Sequence, residues 1–295
     1  MPVNSLSRRT PAIRSRQITE NDLNSVADLL VKGFPRRSRQ YWRRGLDHLT
    51  EHAAPAGSPK YGYLIERDNL LVGVLLVLSS AIRLDGSMAI RCNLSSWYFE
   101  PAYRGYASLI VPRITNQKDV TYINVSPAWH TQPILEAQGF TKYTSGQLVI
   151  GPIPSNFTDN TQPKIVDFNA YPGSYFESYE RDLLLTHARY GCTSLWCITT
   201  ERAYPFVFRP RFVKGCIPCA QLVYCRDIED LRRFAWPIGR FLALRGRPLI
   251  IVDSNGPIPG FVGKYFHSVA PKYFKGPNRP RLGDLAYTEI AMFGI

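Results

Sequence analysis

Apolar positions along this chain switch between two rhythms, one with helical spacing and one of short continuous runs. Leu23, Val26, Ala27, Leu30 and Val31 recur at helical spacing and predict a helix over "ENDLNSVADLLVKGF". Thr19 is its expected N-cap, with Asp22 three residues on. A short strand in "AIRSRQIT" precedes it, and a second helix fits "SRQYWRRGLDHLTEH". Strands then follow in "YGYLIER", "LLVGVLLVLSSAIRL" and "IRCNLSSWYF", the first two joined through the hairpin dipeptide Asp68-Asn69. The apolar run from Leu70 to Ile82 is shorter than the about 20 residues of a membrane-crossing helix and reads as a buried strand. After a turn at "FEPAYRGYA" and a helix come the strand "VTYINVS", a short helix "TQPILEAQGF" ended by Gly139, and a last pair of strands in "TKYTSGQLVIG". The order β-α-α-β-β-β-α-β-α-β predicts an α/β fold, a mixed sheet with helices on its faces.

"GPIPSNFTDNTQP", residues 151 to 163, has no periodicity and the composition of a linker. It divides the chain into a first domain at 1–150 and a second at 164–295. The second repeats much of the order of the first. "GSYFESYERDLLLTHARYG" reads as a helix, "TSLWCIT", "YPFVFRPRF" and "IPCAQLVYC" as strands, and "DIEDLRRFAWPIGRFLALRG" as one long helix closed by Gly246. "RPLIIVDS" is a buried strand, and "GKYFHSVAP" with "LAYTEIAMFG" forms a closing pair. The halves share element order rather than sequence, which suggests a duplicated fold.

Composition narrows the class. The chain has 295 residues, 45% of them hydrophobic and 20% charged, as in globular proteins with a real core, which excludes a disordered tail or a fibre. No secretory signal is visible, so a cytoplasmic location is expected. The six cysteines are too few and too clustered for a disulfide framework and read as buried thiols. The lone C-x-x-C of Cys216 and Cys219 has no second pair, and no metal site is expected. A net charge of +13, concentrated in "RRTPAIRSR" and "PRRSRQYWRR", suits phosphate-rich partners such as nucleic acid, an anionic surface or a phosphorylated co-substrate, or simply a solvated basic face. "RRSRQYWRRGL" resembles no known RNA-binding motif, so nucleic acid is not the favoured partner.

The turn "FEPAYRGYA" joins a strand to a helix start through Arg104 and Gly105. Backbone N–H groups at such a junction converge on an anion, Gly105 and Ala107 allow close approach, and Arg104 adds a formal charge. The stretch resembles the acyl-CoA-binding motif of the GNAT acyltransferase superfamily, a Q/R-x-x-G-x-G/A loop after a strand. Phe99, Pro101, Gly105 and Ala107 stand in the expected places, whereas Ala102 replaces the usual Gln or Arg. "YINVSPAWHTQPILEAQGF" is similar to the superfamily's later strand with Asn and its helix ending in Gly-Phe, and "AIRSRQITENDLNSVADLLVKGF" to its opening. These matches cover residues 12 to 150.

The resemblance implies a GNAT fold, with two GNAT-like domains in tandem, and acetyl-CoA or a longer acyl-CoA as co-substrate. Backbone groups of Tyr98 and Phe99 would meet the pantetheine arm, and the main chain of Ala102, Tyr103, Arg104, Gly105, Tyr106 and Ala107 would hold the pyrophosphate. Asn124 would sit near the thioester, which an amine acceptor attacks directly. Two usual features are missing: Leu135 stands where a thiol-protonating Tyr is common, and Asn93, Ser95 and Ser96 where a carboxylate is common. Asn124, Ser126 and His130 are therefore the catalytic candidates, with Tyr122 and Tyr143 as further phenols and Ser95 or Ser96 as holders of a water relay. The second domain has the acidic "RDIED" where a phosphate loop would lie, so it reads as a degenerate copy that completes the acceptor site, or as a structural extension or dimerisation surface, and "RRSRQYWRRGL" is expected at the acceptor entrance. The expected activity is acyl transfer from acyl-CoA to an amine. A non-catalytic acyl-CoA- or polyanion-binding protein that retains the fold is the alternative.

Overall fold

A computed structural model describes residues 13–84, 86–151, 163–170 and 176–294. All but the two ends of the expected linker 151–163, and the basic residues before Ile13, lie outside them. The chain divides into two compact units, Met1–Ser79 with Leu94–Gln117, and Ser80–Asn93 with Lys118–Ile295.

The first unit begins with strand β1 (Arg14–Gln17) and helices α1 (Leu23–Gly33) and α2 (Arg39–Glu51). The expected capping box is present: Asp22 accepts from the Thr19 backbone N–H at 2.8 Å and heads the turn that enters α1. Arg16 donates to both Asp22 and Glu66, pinning β1. Leu23, Val26, Ala27 and Leu30 of α1 are buried, as their spacing requires, and so are Trp42, Leu46 and Leu49 of α2. Strands β2 (Gly62–Arg67) and β3 (Leu70–Leu84) form an antiparallel hairpin whose turn places Asp68 and Asn69 at φ 51° and 64°, left-handed values that these residues tolerate. Order runs β1-β2-β3 and then β4 (Ser87–Phe99), both β3 and β4 passing from one unit into the other along their length. After β4 a six-residue 3₁₀ turn, Pro101–Tyr106, leads into α3 (Ala107–Ile114). Ile65, Val72, Phe99, Ala107 and Ile110 form a core cluster beneath this turn.

In the second unit the first half of β4 pairs in parallel with β5 (Val120–Asn124), and α4 (Gln132–Ala137) and β6 (Thr141–Ile150) follow. Next come β7 (Lys164–Asp167), α5 (Ser178–Arg189), β8 (Thr193–Ile198), β9 (Ala203–Val213) and β10 (Ile217–Cys225). The remaining elements are α6 (Ile228–Arg233), α7 (Ala235–Ala243), β11 (Leu249–Ser254), β12 (Gly263–Lys275) and α8 (Glu289–Met292). Strand order here is β4-β5-β12-β6-β11-β10-β9-β8-β7. β10 and β11 are a second parallel pair, joined through helices as β4 and β5 are. β6 lies antiparallel to β11, and β12 antiparallel to β5. The strand that closes each parallel pair thus comes from the other half of the sequence.

Three elements differ from expectation. "TKYTSGQLVIG" is one strand, β6, and not a pair: Gly146 makes no turn, and a Cβ there would meet the Phe266 carbonyl oxygen at 2.3 Å, so the glycine admits β12. The long helix closed by Gly246 is two helices broken at Phe234, because the Pro237 ring has no N–H to donate and would clash with the Arg233 carbonyl one turn back. "LAYTEIAMFG" is not a strand. Tyr287 adopts φ 58° and Thr288 is the N-cap of α8, and the segment meets a strand through the single bridge of Asp284 with Tyr224.

Candidate functional site

In the first unit, strand β4 carries an irregularity at Ser96, which has φ 47° in the middle of a strand. A non-glycine residue there is strained, and such strain collects where a backbone is re-aimed for function. The Ser95 and Ser96 hydroxyls lie 3.0 Å apart. Tyr98 is half-buried, and its ring fills the space where a Cβ on Gly33 of α1 would stand, 2.5 Å away. Phe99 and Ala107 belong to the core, so neither side chain is available to a ligand.

The turn that follows is tighter than an open cradle. Tyr103 N–H donates to the Glu100 carbonyl at 2.8 Å, and Ala107 N–H to the Arg104 carbonyl, so two of the expected phosphate donors are already engaged. Ala102, Arg104, Gly105 and Tyr106 are exposed. A Cβ on Gly105 would meet nothing within 4 Å, and the residue is not left-handed. Its small size therefore leaves open room beside the Arg104 guanidinium, and this fits an anionic group approaching the backbone. Further along the unit, a shallow cavity of about 360 Å³ is lined by Glu20, Leu23, Arg43, Asp47, Thr50 and Glu51.

In the second unit, the parallel pairing of β4 with β5 runs from Ile90–Val120 to Asn93–Ile123. Asn124, the next residue of β5, is buried beside its β12 partner Tyr273, and its Oδ1 has no hydrogen-bond donor. A buried acceptor without a donor costs about 1–3 kcal/mol and marks a place where a ligand N–H or O–H would fit. Ser126 is exposed just beyond the strand, and His130 is exposed before α4, edge-on to Trp129, which is 82% exposed.

The C-terminal segment brings in a carboxylate on which the sequence reading placed no role. Glu289, the first residue of α8, is 1% exposed; its Oε1 accepts from the Ser126 hydroxyl and its backbone N–H donates to Asn93 Oδ1 at 2.9 Å. Arg91, two residues before Asn93 on the same face of β4, donates to both Asp284 oxygens at 2.9 and 3.2 Å and to the Ala286 carbonyl at 2.8 Å. Burial alone would raise the Asp284 pKa, but the Arg91 and Arg281 guanidinium groups outweigh it and hold the carboxyl at about 2. His187 of α5 accepts from the Tyr287 N–H at 3.0 Å through Nε2, while Nδ1 faces the Leu183 carbonyl at 2.7 Å. The Thr288-Glu289 pair, an N-cap residue before an acid, was the signal that could have revealed this short helix.

Three phenols divide the remaining roles. Tyr122 is buried. Tyr143 is buried with its hydroxyl unpaired, and burial, then the charge of Asp253, raises its pKa far above the ordinary value, so it is a hydrogen-bond donor and no proton source near neutrality. Tyr273, opposite Asn124, donates to Glu136 of α4 at 2.9 Å, and burial together with that carboxylate pushes its pKa to about 12. Leu135 is wholly buried in α4. His267 and Tyr265 meet at 3.5 Å, apart from the Tyr273 hydroxyl's contact with α4.

Among the described residues, Cys216 is exposed, the other five cysteines are buried and all six are unbridged. No group of three or more metal-ligating side chains occurs among the described residues, and no helix there is long and apolar enough to cross a membrane.

No protein-family model and no curated protein sequence matches the chain. Solved structures do. A GCN5-related N-acetyltransferase from Anabaena variabilis is similar with a TM-score of 0.57 at 11% identity, over 89% of this chain and 72% of its own. Another from Kribbella flavida is similar with a TM-score of 0.56 at 12% identity, over 90% and 71%. Likenesses that cover nine-tenths of the chain extend well past residue 150, so both halves of the sequence take part in them. The chain has the fold of the GCN5-related N-acetyltransferases.

Proposed function

We propose that this protein transfers an acyl group from acetyl-CoA or a longer acyl-CoA to an amine. The observation that carries the reading is the buried, donorless Asn124 Oδ1, placed one residue beyond the point where the parallel β4–β5 pairing stops. It offers an acceptor to an amide or amine N–H. The fold, the strained Ser96 and the open room at Gly105 support the same reading. In it, the main chains of Tyr98, Phe99, Ala102, Tyr103, Arg104, Gly105, Tyr106 and Ala107 serve the pantetheine and pyrophosphate, with Arg104 adding charge. Tyr103 and Ala107 N–H already have carbonyl partners, so the exposed Arg104 guanidinium carries most of that role. Asn124, Ser126 and His130 serve the acceptor side.

Chemically, the amine nitrogen attacks the thioester carbonyl, a C–N bond forms, the C–S bond breaks, and the thiolate leaves. The protein must remove a proton from the amine and orient both reactants. We further propose that 1–150 and 164–295 are two GNAT-like repeats linked by 151–163. The recurrence of a helix-joined parallel pair, β4–β5 and β10–β11, supports this. In the second repeat the Asp227 side chain accepts from Glu229 N–H at 2.9 Å at the start of α6, occupying the place of a phosphate and supporting a degenerate copy.

Native mass spectrometry with acetyl-CoA, followed by thiol release in the presence of spermidine, glucosamine, tyramine and a short peptide, tests the activity. Binding with thiol release by at least one amine is expected. Binding without release from any of them identifies a non-catalytic acyl-CoA-binding protein, and no binding refutes the cofactor assignment.

A further inference from the structure

We propose that Glu289 is a positioning residue that acts through Ser126, and that the pair forms the proton relay for the acceptor amine. The inference rests on the acyltransferase reading and supplies the carboxylate that β4 lacks. Ser126 is exposed while Glu289 is 1% exposed, and the two are joined by a hydrogen bond in which the hydroxyl donates. With its proton directed at the carboxylate, the serine oxygen turns its lone pairs outward, toward an incoming N–H. As the amine nitrogen bonds to the acyl carbon, its proton passes to Ser126 Oγ and the serine proton passes to Glu289. The serine is unchanged, the carboxylate becomes a carboxylic acid, and the proton returns to solvent by the reverse path after the thiolate has left.

Geometry on three sides fixes Glu289 for this role. Asn93 of β4 accepts from its backbone N–H, while Arg209 of β9 donates to the Ala291 carbonyl of the same helix at 3.1 Å. The turn before it is held by the Arg91–Asp284 pair and by His187. Around it, the Arg91 guanidinium bonds to Asp284 and the Ala286 carbonyl, Arg209 to the Ala291 carbonyl and His187 Nε2 to the Tyr287 N–H, and the Ser126 hydroxyl joins the carboxylate to the exposed surface.

The test is steady-state thiol release from acetyl-CoA with the most active amine of the panel, measured from pH 5 to 9. Glu289→Gln should lower kcat about 100-fold, the scale of one lost acid–base group, with the KM for acetyl-CoA within about twofold of the parent. It should also abolish the acidic limb of the pH profile, because only the ionised carboxylate receives a proton. Ser126→Ala should cost about as much and the double variant little more, since the two act as a unit. Glu289→Asp should recover part of the rate. Wild-type kcat and an unchanged acidic limb in Glu289→Gln would overturn the proposal. If that variant does not fold, Ser126→Ala decides alone, because its side chain is exposed, and a kcat within twofold of wild type would be fatal. Acetyl-CoA binding by native mass spectrometry separates the two failures: wild-type protein that binds none, or releases no thiol with any amine, overturns the activity and this assignment with it.

Discussion

Asp284→Asn is expected to destabilise the protein by about 3 kcal/mol, the cost of breaking one partner out of a buried ion pair. The structure supports so large a value. Arg91 is 3% and Asp284 9% exposed at the side chain, the contact is two-pronged, and the guanidinium also binds the Ala286 carbonyl. The substitution leaves the arginine buried beside a neutral amide. The pKa gives an independent measure: a carboxyl held at about 2 in place of 3.8 stabilises the folded state by roughly 2 kcal/mol. Because the folded-state value is the lower one, that stabilisation is complete above about pH 4 and disappears as pH falls toward 2. Urea unfolding of wild type and Asp284→Asn at pH 7, 5, 4 and 3 should therefore give a difference that is constant down to pH 5 and narrows below pH 4. A difference under 1 kcal/mol at pH 7, or one that widens on acidification, would refute the reasoning. The pair also bears on the proposed activity. Arg91 and Asn93 alternate on one face of β4 and hold Asp284, Ala286 and Glu289, so loosening the first contact should lower kcat for thiol release more than it raises the KM for acetyl-CoA.

Three further outcomes follow from the packing. Gly105→Ala should leave the melting temperature unchanged, since its Cβ meets open space, whereas Gly105→Glu should reduce acetyl-CoA affinity at least tenfold by calorimetry; intact affinity in the glutamate variant would remove the turn from the site. Gly33→Ala should destabilise by about 1–3 kcal/mol, because its Cβ would press on the Tyr98 ring, and a thermal melt equal to wild type would show that the ring yields freely. Tyr143→Phe removes a buried hydroxyl that has no partner and should stabilise by about 1 kcal/mol in urea unfolding; a loss of that size would mean that the hydroxyl is bonded in solution.

The order of elements up to Ile150 was legible because each left a local mark. Thr19 and Asp22 announced α1, Asp68-Asn69 the β2–β3 hairpin, and Gly139 the end of α4, where it adopts φ 84°. What escaped was set by distant contacts. Gly146 looked like a turn residue, yet its bareness serves the backbone of β12, more than a hundred positions later. Glu289 looked like part of a strand, and its partners Ser126 and Asn93 are unreadable from the sequence around it. Both surprises have one cause. Because β6 closes the parallel pair of β10 and β11, and β12 that of β4 and β5, each half of the sequence lends its last strand to the other. A segment cut after Ile150 would leave β5 without β12 and β6 without β11. It would also lose the C-terminal turn that delivers Glu289 to Ser126. The Asn-bearing strand β5 therefore depends for closure on Gly263–Lys275, and Ser126 for its carboxylate partner on Glu289. On the proposed reading of two repeats, the second is retained for a physical reason: it carries the strand that pairs with β5 and the carboxylate that accepts from Ser126.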